Sequence, residues 1–335
     1  MDHRLGWNRH FQQVSAGQLD QVARILSAER GQYRICMLET GTEAWAELLG
    51  SYRHRSQGTS EYPAVGDWVI IDKRNGHCII NRILPRTSLL QRKEAGSRED
   101  GQILAANVDV ALIVCACDRN FSRNRIERYL ALVGAENVDT VVLLSKSDLF
   151  TQDLMIQDDI NALKIKVRVI LYSAQTGENM EQVESLFEPG KTYVVLGSSG
   201  AGKSTLINHL TNAAHIKTQS VREGDAKGRH TTTRREMHFL PNGAIVMDTP
   251  GMRELQLLDH QEGLDTAFPQ ILEQALHCRF TDCQHRSERD CAVKQAISSG
   301  VLSQEQLEHY HKLEAELAAR TRRALLYRSH PKKRR

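Results

Sequence analysis

The hydrophobic pattern divides the chain into stretches of different period. Over the first thirty residues Leu19, Val22, Ile25 and Leu26 recur at helical spacing, which predicts a mainly helical segment. The next seventy residues change character. Tyr33–Leu38, Trp45–Leu49, Asp67–Ile71 and His77–Leu84 read as short strands, and Asn75-Gly76 is a tight hairpin signal. Several short strands so closely spaced predict a small closed or partly closed barrel. Basic and aromatic residues alternate at Tyr52-Arg53-His54-Arg55, as on an oligonucleotide-binding surface, although a solvated loop accounts for that stretch equally well.

After a polar linker at 93–97 the pattern becomes alternating strand and helix. Val108–Cys115, Thr140–Leu144, Val167–Tyr172, Tyr193–Leu196 and Ala244–Met247 are apolar runs suited to buried strands. Residues 124–135 carry Ile126, Tyr129, Leu130 and Val133 on one helical face. Such alternation predicts a parallel sheet, whose ligands sit at the carboxyl ends of the strands. A last amphipathic helix is expected over 304–326, with Leu307, Tyr310, Leu313 and Leu317 on one face.

Composition narrows the class. The 335 residues, 40% hydrophobic and 25% charged, allow two or three ordinary globular domains. No apolar run reaches the roughly 20 residues of a membrane span and no apolar signal core stands at the N-terminus, so a cytoplasmic protein without membrane contact is expected. Net charge is only +3, yet eight Lys/Arg and no acid follow from Arg320 onward, a basic tail of the kind that meets nucleic acid or is simply solvated.

The chemistry sits at the strand ends. Gly197-Ser198-Ser199-Gly200-Ala201-Gly202-Lys203-Ser204-Thr205 has the spacing G-x-x-x-x-G-K-[ST] between a strand and a helix. Its glycines let backbone N–H groups cradle phosphates, Lys203 reaches the β- and γ-phosphates, and the Ser204 hydroxyl suits Mg²⁺. Asp248-Thr249-Pro250-Gly251 follows the strand at 244–247 as a D-x-x-G switch, in which Asp248 holds a Mg²⁺ water and the Gly251 N–H senses the γ-phosphate. Between them, Gly228–Thr233 forms a polar loop whose Thr232 and Thr233 suit Mg²⁺. Ser145-Lys146-Ser147-Asp148 is similar to the guanine-reading N-K-x-D, and Ser173-Ala174 to its partner. These guanine-reading residues precede the phosphate loop, the reverse of the ordinary order, so the chain reads as a circularly permuted GTPase.

Cys278, Cys283, His285 and Cys291 have the spacing C-x₄-C-x-H-x₅-C. Three thiolates and one imidazole suit a closed tetrahedral structural Zn²⁺ site, with His277 as an alternative nitrogen. Met252 stands where many GTPases carry the glutamine that orients the attacking water, which makes His230 the candidate catalytic group beside Lys203, Asp248 and Gly251; an ordering role in its loop fits His230 equally.

Together the permuted motif order, Gly228-Arg229-His230-Thr231-Thr232-Thr233, Pro63–Val69, Leu104–Asp109 and the Cys278–His285 cluster resemble the ribosome small subunit-dependent GTPase A family over residues 30–320. The resemblance implies a multidomain fold: an N-terminal extension and OB-like β-barrel over 1–100, a circularly permuted α/β P-loop GTPase over 101–258, and a mainly helical zinc-binding domain with its basic tail over 259–335. It also implies slow hydrolysis of GTP to GDP, stimulated by the small ribosomal subunit and its ribosomal RNA in late subunit assembly, by a protein expected to act as a monomer. An RNA-binding assembly factor that uses its nucleotide site as a conformational timer is the alternative. Ser145 in place of Asn or Thr, and Arg289-Asp290 in place of Pro-Gly before Cys291, are departures from the family pattern.

Overall fold

The computed structural model describes residues 5–15, 17–29, 31–50, 52, 59–74, 77–93, 101–118, 121–136, 138–150, 154–163, 167–212, 235–249, 264 and 267–329. Its first helix, α1 (Arg9–Val14), is short, and the chain then enters strand β1 (Val22–Glu29), followed by β2 (Gln32–Met37), β3 (Glu43–Leu48), β4 (Trp68–Arg74) and β5 (His77–Ile83). These five strands pair in the order β1-β2-β3-β5-β4, and β4 returns antiparallel to β1, closing a barrel. Asn75 and Gly76 lie outside the described residues, but Arg74 and His77 are paired across the antiparallel β4–β5 ladder that they join.

The helix expected through residue 30 is therefore a correction: Val22–Glu29 is a strand. Its first six residues are all buried, because Ala23 and Ile25 point into the barrel while Val22 and Leu26 join the core outside it. A strand buried on both faces loses the apolar–polar alternation that would distinguish it from a helix. Trp7 and Phe11 stack near Trp68, with ring centroids 4.7 and 5.7 Å from it, and so pack the N-terminal segment against the barrel.

Strands β6 (Leu89–Lys93) and β7 (Gly101–Ala106), which the sequence reading did not assign, form a separate antiparallel pair on either side of the expected linker at 93–97, of which 94–97 lie outside the described residues. The α/β part follows as β8 (Val110–Ala116), α2 (Arg123–Gly134), β9 (Asp139–Ser145), α3 (Leu154–Leu163), β10 (Arg168–Leu171), α4 (Met180–Glu184), β11 (Thr192–Leu196), α5 (Lys203–Leu210), β12 (Glu236–Phe239) and β13 (Ile245–Asp248). The order β10-β9-β8-β11-β13 is wholly parallel, with β12 antiparallel at the end. β12 then meets β1 at Ser27↔Glu236, so sheet and barrel are continuous. The sheet is buried on both sides: along β8, Ala111, Ile113 and Cys115 face one core and Val110, Leu112 and Val114 the other.

Arg24 on β1 is fully buried at this junction. It donates to the carbonyl oxygens of Leu5, Gly66 and Asn107 and, at 2.9 Å, to the Thr192 hydroxyl of β11. Burial lowers its pKa to about 10 against the opposing pull of Asp109 and Asp67.

The C-terminal part is helical: α6 (Pro269–Ala275), α7 (Ala292–Ser298) and α8 (Gln304–Ser329). Leu307, Tyr310 and Leu313 of α8 are buried in the core shared with the sheet, whereas the Leu317 side chain lies outside the described residues. His309 Nδ1 lies 2.7 Å from Glu127 Oε2 of α2, both groups being almost wholly buried. Arg123 completes the contact by donating to Glu127 Oε1 at 2.8 Å. The backbone of α8 continues through Arg320, Arg322, Arg323 and Arg328, while the tail beyond Ser329 is outside the described residues.

Candidate functional site

The five parallel strands end on one side, and the polar motifs gather there. Leaving β11, Gly197 takes φ +151, and a Cβ in its place would lie 2.3 Å from the Val114 carbonyl oxygen of β8. Gly202 at φ +94 caps the start of α5. Only glycine follows this path at both points without strain. Lys203, the first residue of α5, is buried and folds back to donate to the carbonyl oxygens of Gly197 (2.9 Å) and Ser198 (2.8 Å). Ser199, Gly200 and Thr205 are exposed, Ser198, Gly202 and Ser204 half-buried, and Ala201 buried.

Asp248 ends β13 beside this loop. Burial raises its carboxyl to about 6, with Lys203 pulling down and Glu236 pushing up. Burial likewise lowers Lys203 to about 8, opposed by Asp248. Asp248 Oδ2 is buried and has no hydrogen-bond partner among the described residues. An orphaned carboxylate oxygen is costly in a protein interior and is what a hydrated cation satisfies, so the site fits Mg²⁺. The neighbouring Thr249 hydroxyl is committed to Val195 O at 2.7 Å, tying β13 to β11.

Ser145 closes β9 and reaches the phosphate loop: its hydroxyl donates to Ala201 O at 2.6 Å, with Cys115 O at 3.4 Å. Lys146 takes a left-handed conformation at φ 59 and donates to Asp118 Oδ2 at 2.8 Å. Ser147 donates to Glu178 Oε2, and Ser173 Oγ donates to Asp148 Oδ1. The Ser173 hydroxyl in turn accepts from the N–H groups of Gln175 and Thr176, and the Ser173 N–H donates to Glu178 O. Ala174 is half-buried next to it. Residues 145–148, 173–174, 197–205 and 248 are thus assembled from the ends of β9, β10, β11 and β13. His230, Thr232, Thr233, Gly251 and Met252 lie outside the described residues.

Sequence reasoning missed Asp118, Glu178 and Arg125, whose Nη1 donates to the Ser198 hydroxyl at 3.2 Å. Asp118 was findable, since it directly follows a buried strand run whose end faces the site. Arg125 belongs to no local motif, and only the packing of α2 on the sheet brings it near.

In the C-terminal part, Cys278, Cys283, His285 and Cys291 place one ligand atom each within 4.8 Å of one another. Cys278 Sγ is 3.8 Å from Cys291 Sγ and 3.6 Å from His285 Nδ1, which is itself 3.4 Å from Cys291 Sγ. A tetrahedron with metal–sulfur bonds of about 2.3 Å and metal–nitrogen bonds of about 2.0 Å has edges of about 3.5–3.8 Å, so the donors fit one Zn²⁺. Burial acts to raise the Cys278 thiol, but the N–H groups of Val293 and Ala292 at the start of α7 hold it below its ordinary value. Burial also lowers His285, which favours the neutral, ligating imidazole. His277 is exposed and outside the cluster.

A phosphate loop on an interior strand of a parallel sheet, with guanine-type motifs on strands that precede it in the chain, defines a circularly permuted P-loop GTPase. A model of the RsgA GTPase family matches residues 83–258. The small ribosomal subunit biogenesis GTPase RsgA of Syntrophotalea carbinolica is 41% identical over 330 residues, covering 95% of this chain and 90% of that protein. RsgA 2 of Vibrio vulnificus is 38% identical over 318 residues, covering 94% and 87%. Among solved structures, YjeQ from Thermotoga maritima has a TM-score of 0.66 at 26% identity, covering 89% of this chain and 98% of that one. YloQ, described as a circularly permuted GTPase, has a TM-score of 0.59 at 27% identity, covering 89% and 95%. The chain belongs to the RsgA GTPase family and is a GTP-hydrolysing enzyme.

Proposed function

We propose that this protein binds the small ribosomal subunit, through its ribosomal RNA, and hydrolyses GTP to GDP and phosphate in a late step of the subunit's maturation, with the subunit stimulating turnover. The observation that carries the reading is the assembly of residues 145–148, 173–174, 197–205 and 248 at one set of strand ends, including the orphaned Asp248 and buried Lys203, in a chain 41% identical to a relative named for small ribosomal subunit biogenesis. In this reading 1–100 and 259–335 carry RNA-facing surface and 101–258 carries the chemistry, in a cytoplasmic monomer. No helix among the described residues is long and apolar enough to cross a membrane.

The roles in this reading are as follows. Backbone N–H groups of 197–202 and the start of α5 donate to the phosphate oxygens. Lys203 exchanges the carbonyl oxygens of Gly197 and Ser198 for the β- and γ-phosphates. Asp148, held by the Ser173 hydroxyl, accepts from guanine N1–H and the exocyclic amine. With the Ser173 N–H committed to Glu178 O, the Ala174 N–H is the donor to guanine O6. Lys146 lies along the base, steered by Asp118. Ser204 and Asp248, with Thr232 and Thr233, hold Mg²⁺, which supplies charge neutralisation on the phosphates. Gly251 N–H would meet the γ-phosphate, and a neutral His230 imidazole would position the attacking water by accepting a hydrogen bond from it. Cys278, Cys283, His285 and Cys291 hold one structural Zn²⁺.

GTP hydrolysis with and without isolated small subunits, with ATP as control, tests the reading. Stimulation confined to GTP, lost in His230→Ala while GTP binding persists, is the expected result. Slow hydrolysis indifferent to subunits overturns the partner, and full stimulated turnover in His230→Ala overturns that residue's role.

A further inference from the structure

Two cations converge on one residue of the phosphate loop. Lys203 Nζ donates to the Ser198 carbonyl oxygen at 2.8 Å, and Arg125 Nη1 donates to the Ser198 hydroxyl at 3.2 Å. Arg125 is held there by the fold: it stands in the first turn of α2, its N–H donates to the capping Ser122 hydroxyl at 3.3 Å, and Ile126 beside it is buried in the core. In the protein-only state burial already penalises charge at this loop, lowering Lys203 to about 8 while leaving it a cation at neutral pH, so the loop by itself does not favour a second positive charge beside it. Like charges crowded in a partly buried site become favourable when an anion lies between them.

We propose that Arg125 is a second phosphate-facing cation of the nucleotide site, placing guanidinium charge beside the loop so that a nucleoside triphosphate is held more tightly than a diphosphate. The inference rests on the reading of 197–204 as the phosphate-binding loop. A guanidinium hydrogen-bonded to Ser198 stands well within the screening length of about 10 Å from any phosphate that the loop cradles. It therefore acts on the summed phosphate charge, which is larger in the triphosphate. α2 brings the charge to the loop from a different strand end than the one that supplies Lys203, so it is independent of the G-x-x-x-x-G-K motif.

The test is nucleotide titration of the full-length protein with Mg²⁺, using GDP and a non-hydrolysable GTP analogue at two salt concentrations. Arg125→Ala is expected to weaken the triphosphate about tenfold and GDP by less, and to flatten the salt dependence. Arg125→Lys keeps the charge and is expected to stay within about threefold of the parent, and Ser198→Ala, which keeps the backbone N–H, to lose clearly less than about tenfold and to retain the parent's salt slope. A purely structural anchor gives the opposite pattern: Ser198→Ala as damaging as Arg125→Ala, no rescue by lysine and an unchanged salt slope, which overturns the proposal. Unchanged affinities in Arg125→Ala overturn it too. If Arg125→Ala does not fold, as judged by its thermal transition, the lysine and Ser198 variants still decide. Lys203→Ala separates the underlying reading: normal nucleotide binding there means that the loop is not the phosphate site, and the inference falls with it.

Discussion

The nucleotide-facing strand ends and the Cys278–Cys291 cluster both concentrate ionisable groups, but they satisfy them in opposite ways. In the cluster, four donors from fourteen consecutive residues lie within 4.8 Å of one another, and Cys278, His285 and Cys291 stand at the separations a single ion requires. At the strand ends the groups come from residues 115 to 248, and the central acid is left without a hydrogen-bond partner while the central lysine is pushed down by burial. The first arrangement suits an ion that would tie together helices whose apolar residues join the core shared with the sheet. The second keeps its charges in an unfavourable state that a ligand relieves, so stability is given up where binding needs it.

The comparison is broken most directly at the cluster. Chelation, or Cys291→Ser, is expected to unfold the C-terminal helices while the parallel sheet persists, because structural zinc contributes on the order of 10 kcal/mol in small domains and Cys291 stands at the N-cap of α7. Limited proteolysis with metal analysis reads this out: new cleavage within 267–329 and loss of one zinc per chain are expected, and an unaltered digest rejects a structural metal.

Asp248→Asn probes the other side and should act in two directions. Burial holds the folded carboxyl near 6, above its ordinary value, so its ionisation costs stability at neutral pH and the neutral amide removes that cost. The nucleotide-free variant is expected to melt about 3 °C higher while GTP turnover falls at least about a hundredfold. In the parent, affinity for GTP with Mg²⁺ should decline as pH falls through about 6, because the proton then competes for the carboxylate. A pH-independent affinity between 5 and 7.5 or so would remove Asp248 from the metal site.

The smallest effect concerns Ser145. Its hydroxyl bond to Ala201 O is the direct tie between the β9 motif and the phosphate loop. Ser145→Ala should weaken GTP binding about fivefold, the size of one net hydrogen bond, with base preference retained. Equal affinity by titration would show that serine there supports nothing.

What could be read from the chain depended on how locally each feature is encoded. The Cys/His cluster and the phosphate loop are each contained in fewer than fifteen residues, and their spacing carries their geometry. The permutation was visible because the motifs keep their order relative to the strands that bear them. β1 was misread because burial on both faces erases period two, and β12, four residues beside a long polar stretch, left no pattern to find. Arg125 acquires meaning only once α2 is folded against the loop after β11, whereas Asp118 was signalled by its place just beyond the β8 run. A contact between residues far apart in the chain has no signature in either residue alone.

Arg24 sets a limit on modularity. Its guanidinium is donated from a barrel strand to Asn107 O and Thr192 Oγ1, both beyond the point where a domain boundary would be drawn near residue 100. Cutting there would strand a buried cation without those acceptors and bare the outer face of β1, whose Val22 and Leu26 belong to the neighbouring core. The barrel is thus not an exchangeable cassette: transplanting it, or expressing it alone, requires Arg24 to be replaced by an apolar residue and its docking face to be made polar.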